Sequence, residues 1–337
     1  MTLLGHRSFW VNTATEPSHI LNEVSDFLRD DLDAVNREIS AVMHSDTRLV
    51  QEVGSYALAG KGKRLRPMML LLVSKALGCD NANRINVAAA LEIIHTATLL
   101  HDDVIDKAEL RRGRPSVNAQ WGDDVAILIA DYLYANAFRL AMQSLSPIVI
   151  STICEVTAQM CEGEMFQIEK REHFLTTNDY LRIVQHKTAF LFSACTGLAA
   201  VISGSNESDI LHLTKFGRDF GIAFQITDDT LDLVGQDGEL GKDSGTDIRN
   251  GKQTLPLIHA YEEASAAERA ELQRLWQNGR DQVEMMKRIR AHNGIDHSLA
   301  LAREYTEKAK SHLAVLPQNK AAQYCAQIAD YVTDRTR

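Results

Sequence analysis

Apolar residues return every three or four positions through residues 20–42, 67–77, 87–105, 125–142, 148–168, 180–202 and 210–233, a spacing that predicts a helix over each stretch. Between them stand Gly60 and Gly62, Gly78 with Asp80, Gly113 with Pro115, Ser146-Pro147 and Ser203-Gly204-Ser205, which read as helix stops and turns. No strand-like alternation, internal repeat or low-complexity linker stands out. The expectation is an all-α chain forming one large domain over residues 1–337, with a loose start at 1–16 and closing helices at 253–337. From 234 to 254 the pattern lapses into VGQDGELGKDSGTDIRNGKQT, a polar loop of a length that tends to carry function.

Composition agrees with this picture. Of 337 residues 45% are hydrophobic and 24% charged, ordinary globular usage with material for a large core, and there are only six prolines. Five cysteines without a C-x-x-C pair fit neither a disulfide framework nor a zinc site, so they are expected to be core thiols in a reducing compartment. The start, MTLLGHRSFWVNTATEPSHI, lacks a cationic segment followed by a sustained apolar run, which predicts no secretory signal and a cytoplasmic protein. The uncharged stretch 188–206 holds Thr188, Ser193, Thr196, Gly197 and Ser203, a poor membrane span but a reasonable core helix.

A net charge of −9 argues against non-specific nucleic-acid binding. Yet Lys61, Lys63, Arg64 and Arg66 crowd one segment, and Arg111, Arg112 and Arg114 another, an arrangement suited to a small polyanion. The acidic residues are more telling. Asp102 and Asp106 lie four apart on one helix face with Asp103 a step round, and Asp228, Asp229 and Asp232 repeat the D-D-x-x-D spacing. Solvated helix faces explain such a motif badly here, because like charges at this spacing destabilise a helix and neighbours such as Leu99, Leu100, Val104, Phe224 and Ile226 are apolar. Clustered carboxylates in greasy helices need cations. Mg²⁺ suits them, since it takes one or two carboxylates and completes its shell with water and phosphate oxygens.

The segment GKGKRLRP, residues 60–67, could cradle phosphate with backbone N–H groups, Lys63 and Arg66, or be a solvated basic turn. Arg111 and Arg112 suit a diphosphate equally with neutralising Asp106 and Glu109. His95, about two turns before Asp102, alone reads as a satisfied core histidine.

Taken in order, GKGKRLRP, HTATLLHDDVIDKAELRRGRP (95–115), HKTA (186–189), FQITDDTLDLVGQDGELGKD (224–243) and GKQTLP (251–256) resemble the trans-isoprenyl diphosphate synthases, also called polyprenyl synthetases, most of all the octaprenyl and solanesyl type. The match runs over about residues 50–260, and Lys61 departs from it where the family commonly has glycine. The resemblance implies a helical bundle around a deep central cavity, usually a homodimer, condensing isopentenyl diphosphate head-to-tail onto an allylic diphosphate such as farnesyl or geranyl diphosphate. It implies Asp102, Asp106 and Asp228 as main Mg²⁺ ligands, Asp103, Asp229 and Asp232 in support, and three ions with substrate bound. Arg111, Lys187, Thr188, Gln225, Lys242 and Lys252 match positions that hold the allylic diphosphate, with Lys187 also in the catalytic set. Lys63, Arg66, His95 and Arg112 match those that hold isopentenyl diphosphate.

In that chemistry departure of diphosphate leaves an allylic cation that water would trap, which accounts for charge set on apolar helices. Ala97 and Thr98, just before the first motif, are small where aromatic residues end elongation early in the family. A long product, hexaprenyl to decaprenyl and suited to a quinone side chain, is expected, with transient membrane contact for its release. The alternatives are a farnesyl or geranylgeranyl synthase, and less favoured a non-catalytic partner subunit. A class I terpene cyclase would have no use for the second cationic cluster.

Overall fold

In the computed structural model, which describes residues 17–59, 62–234, 246–249, 251–277 and 282–335, every stretch with helical spacing is helical. The helices are α1 (Pro17–Phe27), α2 (Arg29–Ala41), α3 (Arg48–Leu58), α4 (Leu65–Ala76), α5 (Asn83–Ile105), α6 (Val117–Trp121), α7 (Asp123–Met142), α8 (Pro147–Glu169) and α9 (Thr177–Val184). After a π-helical turn at Gln185–Ala189 come α10 (Phe190–Ile202), α11 (Glu207–Val234), α12 (Thr246–Arg249), α13 (Leu255–Glu263), α14 (Ala266–Gln277), α15 (Gln282–Ala291), α16 (Gly294–Ser311) and α17 (Lys320–Asp334). The all-α expectation holds, with differences in detail. The stretch 20–42 divides because Leu28 leaves helical geometry at φ −103°, ψ 9°. The helix α3 has no counterpart in the pattern. A two-residue hairpin, β1 (Leu110–Arg111) with β2 (Arg114–Pro115), replaces the simple turn expected around Gly113. Its tip, Arg112 at φ 52° and Gly113 at φ 74°, is left-handed at both residues, the geometry whose twist suits a tight hairpin.

Packing centres on α10, whose residues from Leu191 to Ala200 are all buried, as the uncharged stretch predicts. It lies between α4 and α11, while α5 packs on α7 and α11 also on α16. The seam between α10 and α11 is closed by two glycines. A Cβ at Gly217 would fall 2.3 Å from the Phe192 carbonyl oxygen, and one at Gly221 2.6 Å from the Ala189 Cα, so only glycine permits this approach. Each ring buried alongside, such as Phe192 or Phe220, contributes about 1.5–3 kcal/mol of apolar stabilisation.

Three further placements bear on the site. The helix α17 packs against α4, sets Tyr331 against Lys63 and, one residue past its end, places Arg335 on the wall of the cavity described below. The helix α7 is, among the described residues, the one helix long and apolar enough to cross a membrane by length and composition. Its Ala126, Ala130, Leu133, Ala137 and Ala141 are buried, while Ile127 and Leu128 are exposed at 42% and 68%. The thiols differ from expectation: Cys195 and Cys325 are buried, but Cys154 and Cys161 lie exposed on α8, where neither thiol serves the core.

Candidate functional site

One cavity of about 1490 Å³ runs through the bundle and gathers residues from α4, α5, the hairpin, α7, α8, α9, the π turn, α11, the segment 251–254 and α17. That exceeds the ~300–1,000 Å³ usual for small-molecule pockets, so it has space for two substrates. Asp102 and Asp106 stand on its α5 wall and Asp228 and Asp229 on its α11 wall. The two motifs predicted from spacing alone therefore share one chamber.

Within each motif the aspartates have different tasks. Asp102 takes no hydrogen bond or ion pair among the described residues, and burial raises its carboxyl above the usual range, with Lys187 opposing. Asp106 meets Arg171 at 3.6 Å. Asp103 turns away, 3% exposed, and receives both the Nε (2.9 Å) and an Nη of Arg111. Of the two readings open for Arg111, a diphosphate or neutralisation of Asp106 and Glu109, the second takes a different form here, since the carboxylate that holds the guanidinium is Asp103. Across the cavity Asp228 pairs with Arg335 at 2.6 Å, and Asp229 accepts from Tyr180 at 2.6 Å and Gln225 at 2.8 Å. Asp232 accepts from the Asp247 backbone N–H at 3.0 Å.

The donors suit a hard divalent cation, being carboxylate oxygens in a cationic pocket. Among the described residues no three such side chains stand close enough to enclose an ion by themselves. A cation here would complete its shell with phosphate oxygens and water, as Mg²⁺ habitually does.

The cationic residues fall into two groups. Lys187, in the π turn, is paired with Glu164 and donates to Gln167 at 3.1 Å, and Lys252 faces Asp247 at 3.6 Å. Burial works against the Lys252 charge, but Asp247, Asp106 and Asp229 outweigh it and hold the ammonium above its ordinary range. Thr188 donates to Gln225 at 2.8 Å. Lys242 lies outside the described residues, as do Gly60 and Lys61 of the phosphate cradle.

The second group is Lys63, Arg66, His95 and Arg112, all lining the cavity. Lys63 donates to the Tyr331 hydroxyl at 3.0 Å. The Arg66 guanidinium lies 4.6 Å from the Phe192 ring centroid, and its Nε is buried without a hydrogen-bond partner among the described residues, an orphan donor that an anion would satisfy. A Cβ at Gly62 would come within 3.0 Å of Arg112, so glycine leaves space for that guanidinium. Burial and the nearby Arg66, Arg112, Arg111 and Arg64 push His95 well below its usual range. A neutral imidazole offers one N–H donor to an anion.

Thr98 lines the cavity, but Ala97, its presumed companion in setting product length, does not: it is fully enclosed by helix packing. Thr98 shares the cavity lining with Ile127 and Tyr134 of α7 and Met160 and Cys161 of α8. The sequence reading missed Glu92, which anchors Arg64 at 2.9 Å, and Glu164, Gln167, Tyr180, Tyr331 and Arg335. Gly163 beside Glu164 was a usable cue, because a Cβ there would fall 2.5 Å from the His186 Cβ and so marks where α8 meets the π turn.

One pH effect follows from Asp229. Burial, reinforced by Asp247, raises its carboxyl to about 7. Unfolded, an aspartate titrates near ~3.9. The folded state therefore binds the proton more tightly, and this stabilisation is full below the unfolded value and lost as pH rises through about 7. In metal-free buffer the Asp229→Asn protein should lose less melting temperature than wild type across that window. Parallel melting curves for the two would contradict the assignment.

Comparison with known proteins accords with this geometry. A family profile described as Polyprenyl synthetase matches residues 47–292. The octaprenyl diphosphate synthase of Haemophilus influenzae is 34% identical over 319 residues, covering 94% of this chain and 97% of its own. A geranylgeranyl pyrophosphate synthase of Geoglobus acetivorans is 35% identical over 323 residues, 93% of this chain and 99% of its own. Among solved structures, a polyprenyl synthase from Caulobacter crescentus complexed with calcium and isoprenyl diphosphate superposes with a TM-score of 0.87 at 34% identity, covering 94% and 98% of the two chains.

Proposed function

The chain belongs to the polyprenyl synthetase family, and from that premise we propose that it extends farnesyl or geranyl diphosphate with successive isopentenyl units to a hexaprenyl to decaprenyl diphosphate, all-trans and Mg²⁺-dependent. The prenyltransferase activity and the use of a divalent metal come with the family. The observation that supports the rest is one cavity containing both aspartate motifs, a separate cationic group around Arg66, and an apolar wall bounded on α5 by small Thr98.

In this mechanism Lys187, Lys252 and Arg111 hold the allylic diphosphate on the side of the aspartates. Mg²⁺ ions, three with substrate bound, shared by Asp102, Asp106 and Asp228 would supply the charge neutralisation that makes diphosphate a good leaving group. The Thr188 hydroxyl and the Gln225 carbonyl oxygen, bonded to each other on the cavity wall, would turn their oxygen dipoles to the charge that develops on the allylic carbon. Lys63, Arg66, Arg112 and the neutral His95 hold isopentenyl diphosphate so that its double bond faces the cation, with Arg335 beside them on the cavity wall. Met160, Ile183, Val184 and Phe224 keep water from trapping it. The proton lost at the end passes to the released diphosphate.

A second copy of the chain is the occupant proposed for the exposed apolar face of α7 around Ile127 and Leu128, giving a homodimer. Light scattering should report twice the chain mass, and Leu128→Glu should reduce it to the single-chain value.

The first experiment incubates the purified chain with Mg²⁺, labelled isopentenyl diphosphate and farnesyl diphosphate, then sizes the dephosphorylated products. Hexaprenyl or longer alcohols are expected. Farnesyl or geranylgeranyl products from shorter primers, in line with the Geoglobus relative, would retain the chemistry and reject the long product. No turnover would bring forward a partner-subunit role.

A further inference from the structure

The second aspartate motif is tied to the lysine–threonine turn by a short chain of hydrogen bonds that begins and ends on one segment. Tyr180, on α9, donates its hydroxyl hydrogen to one oxygen of Asp229 at 2.6 Å. The Gln225 amide nitrogen donates to the other at 2.8 Å, and the Thr188 hydroxyl donates to the Gln225 carbonyl oxygen at 2.8 Å. The helix α9 continues directly into the π turn that carries Thr188, so both ends of the chain hang from a common support.

Each link orients the next. A glutamine amide has a donor end and an acceptor end, and the Asp229 oxygen takes the donor end. The carbonyl end is thereby turned towards Thr188 and the cavity. Both Asp229 oxygens are engaged, so this carboxylate is fixed in rotamer while Asp228 beside it faces the chamber. Tyr180 itself has little freedom: it is 3% exposed and belongs to a packed apolar cluster with Ile183, Val184, Ile222 and Ile226. A part-buried network of this kind holds its members more rigidly than any single contact would.

Resting on the prenyl-transfer reading, we propose that Tyr180 is a positioning residue of the reaction: its hydroxyl holds Asp229, and through Asp229 the Gln225 amide, in the arrangement that lets the second motif take a divalent cation together with an allylic diphosphate. It touches neither the reacting carbon nor the isopentenyl diphosphate group of Lys63, Arg66 and Arg112. Removing the hydroxyl should therefore alter metal-dependent binding of the allylic substrate and leave the other substrate untouched.

The test titrates farnesyl thiodiphosphate, which resists ionisation, calorimetrically into wild-type and Tyr180→Phe protein over a series of Mg²⁺ concentrations. Phenylalanine retains the ring and its packing. The Mg²⁺ concentration giving half-maximal binding is expected to rise about 10-fold in the variant, the low end of what outer partners of metal ligands contribute. Binding at saturating Mg²⁺ and the KM for isopentenyl diphosphate should stay as in wild type. In a cycle with Asp229→Asn, the double variant should be no worse than Asp229→Asn alone, because the hydroxyl acts only through that carboxylate. An unshifted Mg²⁺ dependence, a loss that persists at saturating Mg²⁺, or effects that multiply in the double variant would each overturn the assignment. Failure of wild type itself to bind the analogue at any Mg²⁺ concentration would overturn the prenyl-transfer reading, and the role of Tyr180 with it.

Discussion

Asp102→Ala protein is expected to turn over at least ~100-fold more slowly than wild type while melting at the same temperature or higher, because the group removed stabilises the departing charge and does nothing for the fold. Asp102 has no hydrogen bond or ion pair among the described residues and is raised by burial, so its loss relieves an unfavourable desolvation. Asp103→Ala separates the two effects. That carboxylate is committed to Arg111 and the hairpin, so its loss should lower the melting temperature together with a smaller fall in rate. Single-turnover rates and melting curves for both variants check this. An Asp102→Ala enzyme with near-wild-type rate would end the metal assignment for the first motif.

The second large effect is on product length. Thr98→Phe places a ring on the cavity wall of α5, about one turn before Asp102, where the growing chain must pass. The product should shorten from hexaprenyl or longer to farnesyl or geranylgeranyl, with condensation itself retained. Ala97→Phe should behave otherwise. Its site is 0% exposed and enclosed by packing, so a ring there overfills the core and destabilises by about 1–3 kcal/mol with the product distribution unchanged. Reversed-phase sizing of dephosphorylated products from the two variants decides between them. Shortening by Ala97→Phe but not Thr98→Phe would reverse the assignment.

Periodicity and motif spacing made most of the helices and all of the aspartates legible. A run such as 87–105 has one buried side whatever surrounds it, so helical spacing alone reveals α5. The carboxylates of D-D-x-x-D were legible because nothing in a helical core explains them. What stayed hidden depends on contacts between distant segments. Arg335 is one of two arginines following a helical stretch until α17 folds back to place it 2.6 Å from Asp228, 107 residues away. Tyr180 reads as a core aromatic, and only the approach of α9 to α11 gives its hydroxyl an acceptor. Ala97 and Thr98 are neighbours in sequence, but a helix turns about 100° between them, enough to send one side chain into the packing and the other to the cavity.

The glycine seam between α10 and α11 also determines where this enzyme can change. With backbone and side chain already in contact at Gly217 and Gly221, that seam tolerates no added volume and is closed to adaptation. Variation in product length, whether through natural drift or a randomised library, is expected from residues that line the cavity, such as Thr98, Ile127, Tyr134 and Met160. A library confined to those positions should yield folded enzymes with altered products, whereas one spread across α10 and α11 should yield mostly unfolded chains.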